Sequence, residues 1–565
     1  MAIDMQESAV VGRQDRSKDM PAALSEILED AGARFSWKKY CGFLDLGLDE
    51  FKTIQDALLR EQLLLLSSSP LWKQIAGRSK ISSASELRTQ LRITTYEHYD
   101  GLLSSKDESA LPEPAVIWAY TTTRSGKSKW VPYTQRGYIS LVRNVIAATI
   151  LASAREKGTV NVSTADSILY TIAPAPFLTG HIARGLEQMG FHGLPPDLHD
   201  KLGFHGAVAE SVKRALHDGA NIMISPATVA TTVAQRISAM STSGGHTPFW
   251  KGLSDPRMFF RVAKARIAAW LDGRPILPRD LWSLKGLIGW GIDMSILRDR
   301  IAQSWGVEPY EFMASTEGGV LALQSWTKKA MTFVPTTAYF EFLPERELIA
   351  ANRDPEYRAG TVLLDDLNVG ERYEVVITSF YGMPFLRYRT GLMIRVLAKE
   401  NQAEGIKLPQ VELVGRSDGL IDLAGFTRLD EKTIWDSLNA VGIEHGEWMA
   451  RRENRGEESI LALYIEMADD SNLQATKDAI HSALRQRDGD YRDVEELLEI
   501  NPLEIRPLKP GTFEAYRQAA AGDGLERDLA GWIPKTNAPQ EIADKLVELS
   551  WRTMHRRGDE HRFLR

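Results

Sequence analysis

Between Ala115 and Met313, short apolar runs alternate with segments of helical period, and this alternation limits what the 565-residue chain can fold into. Strands are expected at Ala115–Tyr120, Ile168–Ala173, Asn221–Ser225, Lys285–Trp290 and Tyr310–Ala314. Helices are expected at Gln135–Glu156, Thr179–Gln188, Thr228–Met240, Arg257–Leu271 and Ser295–Trp305. Such alternation implies an α/β fold with mostly parallel sheets flanked by helices. Ligands of these sheets gather at the carboxyl ends of the strands.

The pattern changes twice more. From Met331 it is strand-rich, with runs at Met331–Leu343, Tyr373–Phe380, Met393–Leu397 and Gln410–Val414. After Gly415, helices at Asp430–Ala440, Asn472–Arg487 and Arg492–Leu498 alternate with strands at Ile460–Met467 and Glu499–Pro507. The expected organisation is a disordered tail over 1–20, a large domain over 21–415 and a small α+β domain over 416–565. A helical opening is expected from Pro21 to about Ala76.

Composition narrows the function classes. A net charge of −7 argues against a nucleic-acid role driven by phosphate neutralisation. A single cysteine, Cys41, allows no intrachain disulfide and suits a reducing cytoplasm. Eleven scattered His without a cysteine partner make structural zinc unexpected. The N-terminus lacks the apolar centre of a signal peptide, and Leu63–Leu66 is far too short to span a bilayer, so no membrane is expected.

Chemistry is concentrated after the first expected strand. Tyr120–Thr134 reads YTTTRSGKSKWVPYT, with Thr121, Thr122, Thr123, Ser125, Gly126, Lys127 and Lys129 in nine residues. Hydroxyls and backbone N–H groups can cradle phosphate oxygens, and ammoniums neutralise them. The segment is not a Walker loop, and a solvated basic turn is the plainer alternative. Four segments follow. Phe312–Gly319 (FMASTEGG) places Ser315, Thr316 and Glu317 past a strand end, where they either meet a phosphate and Mg²⁺ or start a helix. Tyr381–Arg395 carries Arg387 and Arg389, which a strand with surface arginines would equally explain. Gly415–Gly425 (GRSDGLIDLAG) supplies Arg416 and Asp418, and Lys509–Phe513 with Trp532–Pro539 supply two late lysines.

In order and spacing these segments resemble the adenylate-forming superfamily of acyl-CoA synthetases, luciferase and peptide-synthetase adenylation domains. They are most similar to the auxin-responsive Gretchen Hagen acyl-acid amido synthetases and their bacterial relatives. That family's loop, roughly S-G-T-S-x-G-K-x-K-x-x-P-x-T, resembles Thr121–Thr134 at Thr123, Ser125, Gly126, Lys127, Lys129, Pro132 and Thr134. Its S-x-E element resembles Ala314–Gly318, and its Y-E-l-v-i-T strand with L-Y-R-Y-R-x-G-D resembles Val369–Thr378 and Leu386–Leu392. Its x-x-G-T-F and Y-K-T-P elements resemble Pro510–Phe513 and Pro534–Asn537, so the resemblance runs from Leu44 to Pro539.

The resemblance implies ATP and Mg²⁺ as requirements, a carboxylic acid substrate, and an amino acid or small amine as acceptor; separately, a monomer is expected. It implies phosphate contacts by Thr121, Thr122, Thr123, Ser125, Gly126, Lys127 and Lys129, and an α-phosphate contact by Thr316 beside Ser315. Glu317 would hold Mg²⁺, and Arg389 and Arg416 would lie on the ribose and phosphate side. Gly289, Trp290 and Gly291 would flank adenine, Lys535 would neutralise charge at the α-phosphorus, and Asp418 would mark a hinge. Phe177, Leu178 and His181 are candidates for the acyl pocket, although an aromatic or His there is more often plain core.

Three departures stand out. Thr122 and Arg124 replace smaller residues of the loop, and Leu392 replaces the Asp that accepts the ribose hydroxyls. The superfamily's late G-K lysine is absent, with Gln540 near its place, leaving Lys535. Thioester formation with coenzyme A or a carrier protein is the enzymatic alternative. A catalytically silent relative that binds an acyl ligand or partner is the non-enzymatic one.

Overall fold

The computed structural model describes residues 36–560 except 78, 123–127, 243–254, 291–293, 354–355, 418–420, 424–426, 430, 456–457, 469–470, 489–490, 493–500, 521–532, 534, 537 and 539. The expected tail and nearly all of the expected helix Arg492–Leu498 therefore lie outside the described residues. The chain divides into two compact units, residues 1–371, 376–390 and 396–412, and residues 372–375, 391–395 and 413–565.

The first surprise of the larger unit is at its start. β1 (Ile117–Thr122) and β2 (Ser128–Tyr133) form their own antiparallel hairpin, with Ile117 opposite Tyr133 and Thr122 opposite Ser128. The run Ala115–Tyr120 is thus not a strand of the parallel sheet. The connection is too short for a crossover, which takes a dozen or more residues, and Val131 and Tyr133 of β2 are buried.

Ten further strands make one sheet. In chain order they are β3 (Ile168–Tyr170), β4 (Ile222–Pro226), β5 (Gly286–Trp290), β6 (Pro309–Ser315), β7 (Gly319–Gln324), β8 (Met331–Phe333), β9 (Ala338–Pro344), β10 (Arg372–Ser379), β11 (Tyr388–Ala398) and β12 (Gln410–Arg416). Their order across the sheet is β3-β4-β5-β6-β7-β8-β12-β11-β10-β9. β3 to β6 pair in parallel, whereas β6–β7, β7–β8 and β8–β12 are antiparallel. The class is mixed α/β, and parallel pairing belongs to the strand-helix half that the alternation marks. The expected single strand Met331–Leu343 is two strands, because the Val334–Thr337 link carries Pro335, which has no N–H to give a ladder.

The helix Gln135–Ser153 lies against β5, β6 and β7 and is buried on almost every side, as an apolar helix inside a layered fold must be. Thr134 caps it by accepting the Gly137 N–H at 3.1 Å. The helix Pro196–Asp218 is not evident from periodicity. Pro196 sits in its first turn, where proline is tolerated, and Gly203 and Gly206 weaken its pattern. A core of Leu169, Met223, Leu287, Ile301, Trp282 and Trp305 joins β3–β5 to their helices.

In the second unit β13 (Ile421–Leu423) pairs with β14 (Thr427–Leu429), and β15 (Trp448–Arg455), β16 (Glu458–Glu466) and β17 (Leu503–Leu508) form a separate sheet. Period two along β16 builds two cores. Leu461, Leu463 and Ile465 face Ile434, Leu438, Ile480 and Leu484 of one helical layer. Ala462 and Tyr464 face Phe513, Ala543 and Leu546 of the other.

Candidate active site

Parallel pairing brings the ends of β4, β5 and β6 to one edge of the sheet, at Pro226, Trp290 and Ser315. At that edge Thr316–Gly318 turns the chain from β6 into the antiparallel β7. Gly319 has φ 72°, a left-handed conformation that glycine adopts freely. A Cβ at Gly318 would come within 2.7 Å of the Ile377 and Leu321 side-chain methyls, so a larger residue there would have to push them aside. Ser315 Oγ accepts the Gly318 N–H at 3.0 Å. The Ser-Thr-Glu element is therefore a strand-to-strand turn, and the alternative of a helix start is excluded.

The turn presents Glu317, whose side chain is 9% exposed. Its backbone is fixed from two directions. The Tyr133 hydroxyl donates to the Thr316 carbonyl at 2.6 Å, and the Ser379 hydroxyl donates to the Glu317 carbonyl at 2.9 Å. Glu317 Oε1 accepts the Tyr388 hydroxyl at 2.7 Å and lies 3.9 Å from Lys129 Nζ. Lys129 also reaches the Tyr388 hydroxyl at 3.4 Å and stands 5.1 Å over the Tyr96 ring. No other hydrogen bond to the Glu317 carboxylate or to the Thr316 hydroxyl is found among the described residues.

Burial keeps the surrounding phenols protonated. The Tyr96 hydroxyl is pushed up to about 12 by burial, against the pull of its backbone hydrogen bond with Trp130. Tyr133 is also pushed up, by burial and then by the Glu317 charge. Both remain neutral hydrogen-bonding groups across the physiological range.

Lys129 is delivered by β2, and the rest of the expected phosphate loop is only partly described. Thr121 and Thr122 end β1, while Thr123, Ser125, Gly126 and Lys127 lie outside the described residues, as do Gly291 and Asp418. Gly289 and Trp290 end β5, with the Trp290 ring 5.6 Å from Phe312 of β6. Arg389 is half-buried on β11, where its N–H donates to the Thr94 carbonyl at 2.9 Å. Arg416 ends β12.

One reading of the segment leading into β11 needs correcting. Arg387 is no surface arginine: it is 4% exposed and forks onto Glu341, with Nη2 to Oε1 at 2.8 Å and Nε to Oε2 at 3.0 Å. Leu392 is 6% exposed in β11, a core side chain with no acceptor for ribose hydroxyls.

The acyl-pocket candidates sit beside the hairpin. Phe177 precedes the helix Leu178–Gln188, and its ring lies edge-on to Tyr120, 5.2 Å between centroids. Tyr120 in turn meets Trp130 at 5.2 Å. Gly180 is compelled, because a Cβ would fall 2.0 Å from the Ala175 nitrogen. Leu178 is half-buried, but His181 faces the core, is 8% exposed and gives its carbonyl to the Tyr138 hydroxyl at 2.6 Å.

In the second unit two short motifs converge. Lys535 Nζ donates to the Trp448 carbonyl at 3.1 Å and lies 3.8 Å from Glu447 Oε2. It stands 5.7 Å from the Trp448 and Phe513 rings, so the Gly-Thr-Phe and Pro-Lys-Thr segments meet around one ammonium. Burial raises the Glu447 carboxyl, but Arg517 and Lys535 outweigh it and hold that carboxyl below its ordinary value. Sequence reasoning does not single out Tyr388, Tyr133, Glu447 or Arg517. Tyr388 lies inside the Leu386–Leu392 motif and could have been found there; Glu447 and Arg517 carry no local signal.

Residues 331–416 match the GH3 family central domain and residues 442–527 the GH3 family C-terminal domain. A probable indole-3-acetic acid-amido synthetase GH3.9 of Oryza sativa subsp. japonica is 30% identical over 217 residues, 34% of this chain and 45% of that protein. The indole-3-acetic acid-amido synthetase GH3.3 of Arabidopsis thaliana is 29% identical over 213 residues, 34% of this chain and 32% of that protein. The chain thus matches less than half the length of these curated relatives. Over nearly its whole length it shares the fold of the AtGH3.15 acyl acid amido synthetase, with a TM-score of 0.61, 15% identity, and 96% and 98% of the two chains covered. The 2-hydroxyisobutyryl-CoA ligase in its postadenylation state follows at 0.56 and 14% identity, covering 82% and 87%.

Proposed function

We propose that this chain, which carries the central and C-terminal domains of the GH3 family, is an ATP-dependent ligase that activates a carboxylic acid as an acyl-adenylate and passes the acyl group to an amine, an amino acid or a small amine. The observation that carries this reading is the Lys129–Glu317–Tyr388 cluster at the carboxyl edge of the parallel strands, to which β2 brings Lys129.

The substrate carboxylate attacks the α-phosphorus in line, forming a carboxylate–phosphorus bond as pyrophosphate leaves. Lys129 offsets charge on the bound phosphates, and its contact with Tyr388 holds it in place. Thr316 presents a hydroxyl at the turn, and Ser315 holds the turn's shape through Gly318. Lys535 is assigned the ammonium that meets the charge developing as pyrophosphate departs. The amine then attacks the adenylate carbonyl, releasing AMP and forming the amide. Asp418 is retained as the proposed hinge.

The donor set fits a magnesium ion of the usual kind, with one carboxylate and phosphate oxygens. Glu317 would hold it, having one oxygen engaged by Tyr388 and Lys129 and one without a hydrogen bond among the described residues. When bound, the ion neutralises phosphate charge that would otherwise repel the incoming carboxylate. One feature favours a silent relative: the buried Leu392 where a carboxylate is expected.

The test is product analysis by mass spectrometry with ATP, a panel of carboxylates, and either amines or coenzyme A. Amide products support the reading. Thioester products alone would move it to the thioester class, and binding without turnover to the silent one.

A further inference from the structure

The helix Pro256–Leu271 presents an apolar surface on the side facing away from the protein. Its inner face is Met258, Val262, Ala265 and Ala269, all buried in the core it shares with β3–β5. On the outer face Phe259 is 52% exposed, Phe260 71%, Ile267 60%, Trp270 77% and Leu271 71%. Elsewhere among the described residues exposed large apolar side chains occur singly, or in pairs one helical turn apart such as Leu198 with Leu202 and Val547 with Trp551, so a cluster of five is a local feature.

Helical geometry sets these side chains in a band. At 3.6 residues per turn, Phe259, Trp270, Ile267, Phe260 and Leu271 occupy an arc of about 120° along a helix about 24 Å long. Arg266 borders one side of the arc, and Lys264 and Arg257 border the other; all three are exposed. The fourth cation, Arg261, is turned inward, donating to the Leu216 carbonyl at 2.9 Å and the Leu281 carbonyl at 3.2 Å. The helix contains no carboxylate, although the chain as a whole carries a net charge of −7. The bordering acids are engaged: Asp255 caps the helix through the Arg257 and Met258 N–H groups and pairs with His217, and Asp272 pairs with Arg274.

Aromatic and aliphatic side chains flanked by cations on long stems are what an amphipathic helix needs to lie in the plane of a bilayer. The apolar arc enters the acyl boundary while Lys and Arg reach the headgroups. We propose that this outer face is a docking surface for an anionic lipid bilayer. The occupant is chosen by charge: a neutral apolar partner would not call for three cations around the arc, and an anionic surface would. No helix of the described residues is long and apolar enough to cross a membrane, so the contact is peripheral. This proposal departs from the expectation of no membrane partner, which rests on the lack of a signal peptide and of a spanning run in the sequence. This inference does not depend on the proposed ligase activity.

The experiment is vesicle co-sedimentation of the full chain. Vesicles of phosphatidylcholine with about one-third phosphatidylserine are compared with phosphatidylcholine alone, at low and at raised salt. Binding should be at least about tenfold stronger to the anionic vesicles and should weaken with salt. The paired substitution Phe260→Asp with Trp270→Asp, and separately Lys264→Glu with Arg266→Glu, should each lower it at least about tenfold. Both pairs are on exposed positions, and unchanged melting confirms that the fold persists. Equal binding to both vesicle types, or unaltered binding by both variants, overturns the proposal. So does self-association in light scattering that Phe260→Asp with Trp270→Asp abolishes while neither vesicle binds, which would make a second copy the occupant.

Discussion

Glu317 is held by a cation and a phenol in the turn after β6, and its charge is its useful property. Glu317→Gln keeps the shape and removes the charge, so pyrophosphate release should fall roughly 10- to 100-fold, with partial recovery at high Mg²⁺. An unchanged Mg²⁺ dependence would reduce Glu317 to a structural partner of Tyr388. Leu392 gives the opposite case. Because its side chain is 6% exposed, Leu392→Asp places a carboxylate in the core and should lower stability by roughly 2–4 kcal/mol in denaturant unfolding, without tightening ATP. Tighter ATP with an unchanged midpoint would mean that the position opens onto the ribose after all. His199 is a third residue whose environment sets a measurable response. Burial holds its imidazole below the ordinary value of 6.5, against its hydrogen bond to the Ile172 carbonyl and the Asp200 charge. Its depressed value means the folded state resists protonation. Stability should therefore be full above pH 6.5 and decline as pH falls below it, and His199→Gln should flatten that decline. An identical pH profile in the variant would contradict this.

At the scale of elements, the hairpin β1–β2 and the cap that follows it connect the loop to the core. Thr134 both accepts the Gly137 N–H at 3.1 Å and donates to the Tyr381 carbonyl at 2.5 Å. Thr134→Ala should cost about 1–2 kcal/mol, with Thr134→Ser restoring most of it; equal losses in both would point to packing of the methyl group instead. The hairpin also shows where sequence reasoning stops. Strands β3–β6 and their helices are legible because each has one period and one burial pattern. β1 is legible as a strand, but its partner depends on the distant surfaces that Val131 and Tyr133 meet. β15 is hidden because Arg451, Arg452 and Arg455 mask the alternation of Trp448, Met449 and Ala450 between two cores. Arg387 and Arg389 look alike in sequence, yet only the contact with Glu341, 46 residues away, reveals that Arg387 is buried.

For the whole molecule, Lys129, the Ser-Thr-Glu turn and the Lys535 segment stand out in the sequence as motifs, in chain order. The supporting partners do not. Tyr388 and Ser379 reach Glu317 from 71 and 62 residues away, and no local pattern announces such contacts. Glu447 likewise meets Lys535 only because β15 and the late segment run side by side, with the Ala450 N–H on the Lys535 carbonyl at 2.8 Å. The central claim is that this chain joins a carboxylate to AMP. The most direct measurement is carboxylate-dependent exchange of labelled pyrophosphate into ATP, which reports the first half-reaction without any acceptor. Exchange should require a carboxylate, proceed without amine, and fall roughly 10²-fold or more in Lys535→Ala. Absence of exchange across a broad carboxylate panel, in protein that melts normally and binds ATP, would contradict the account.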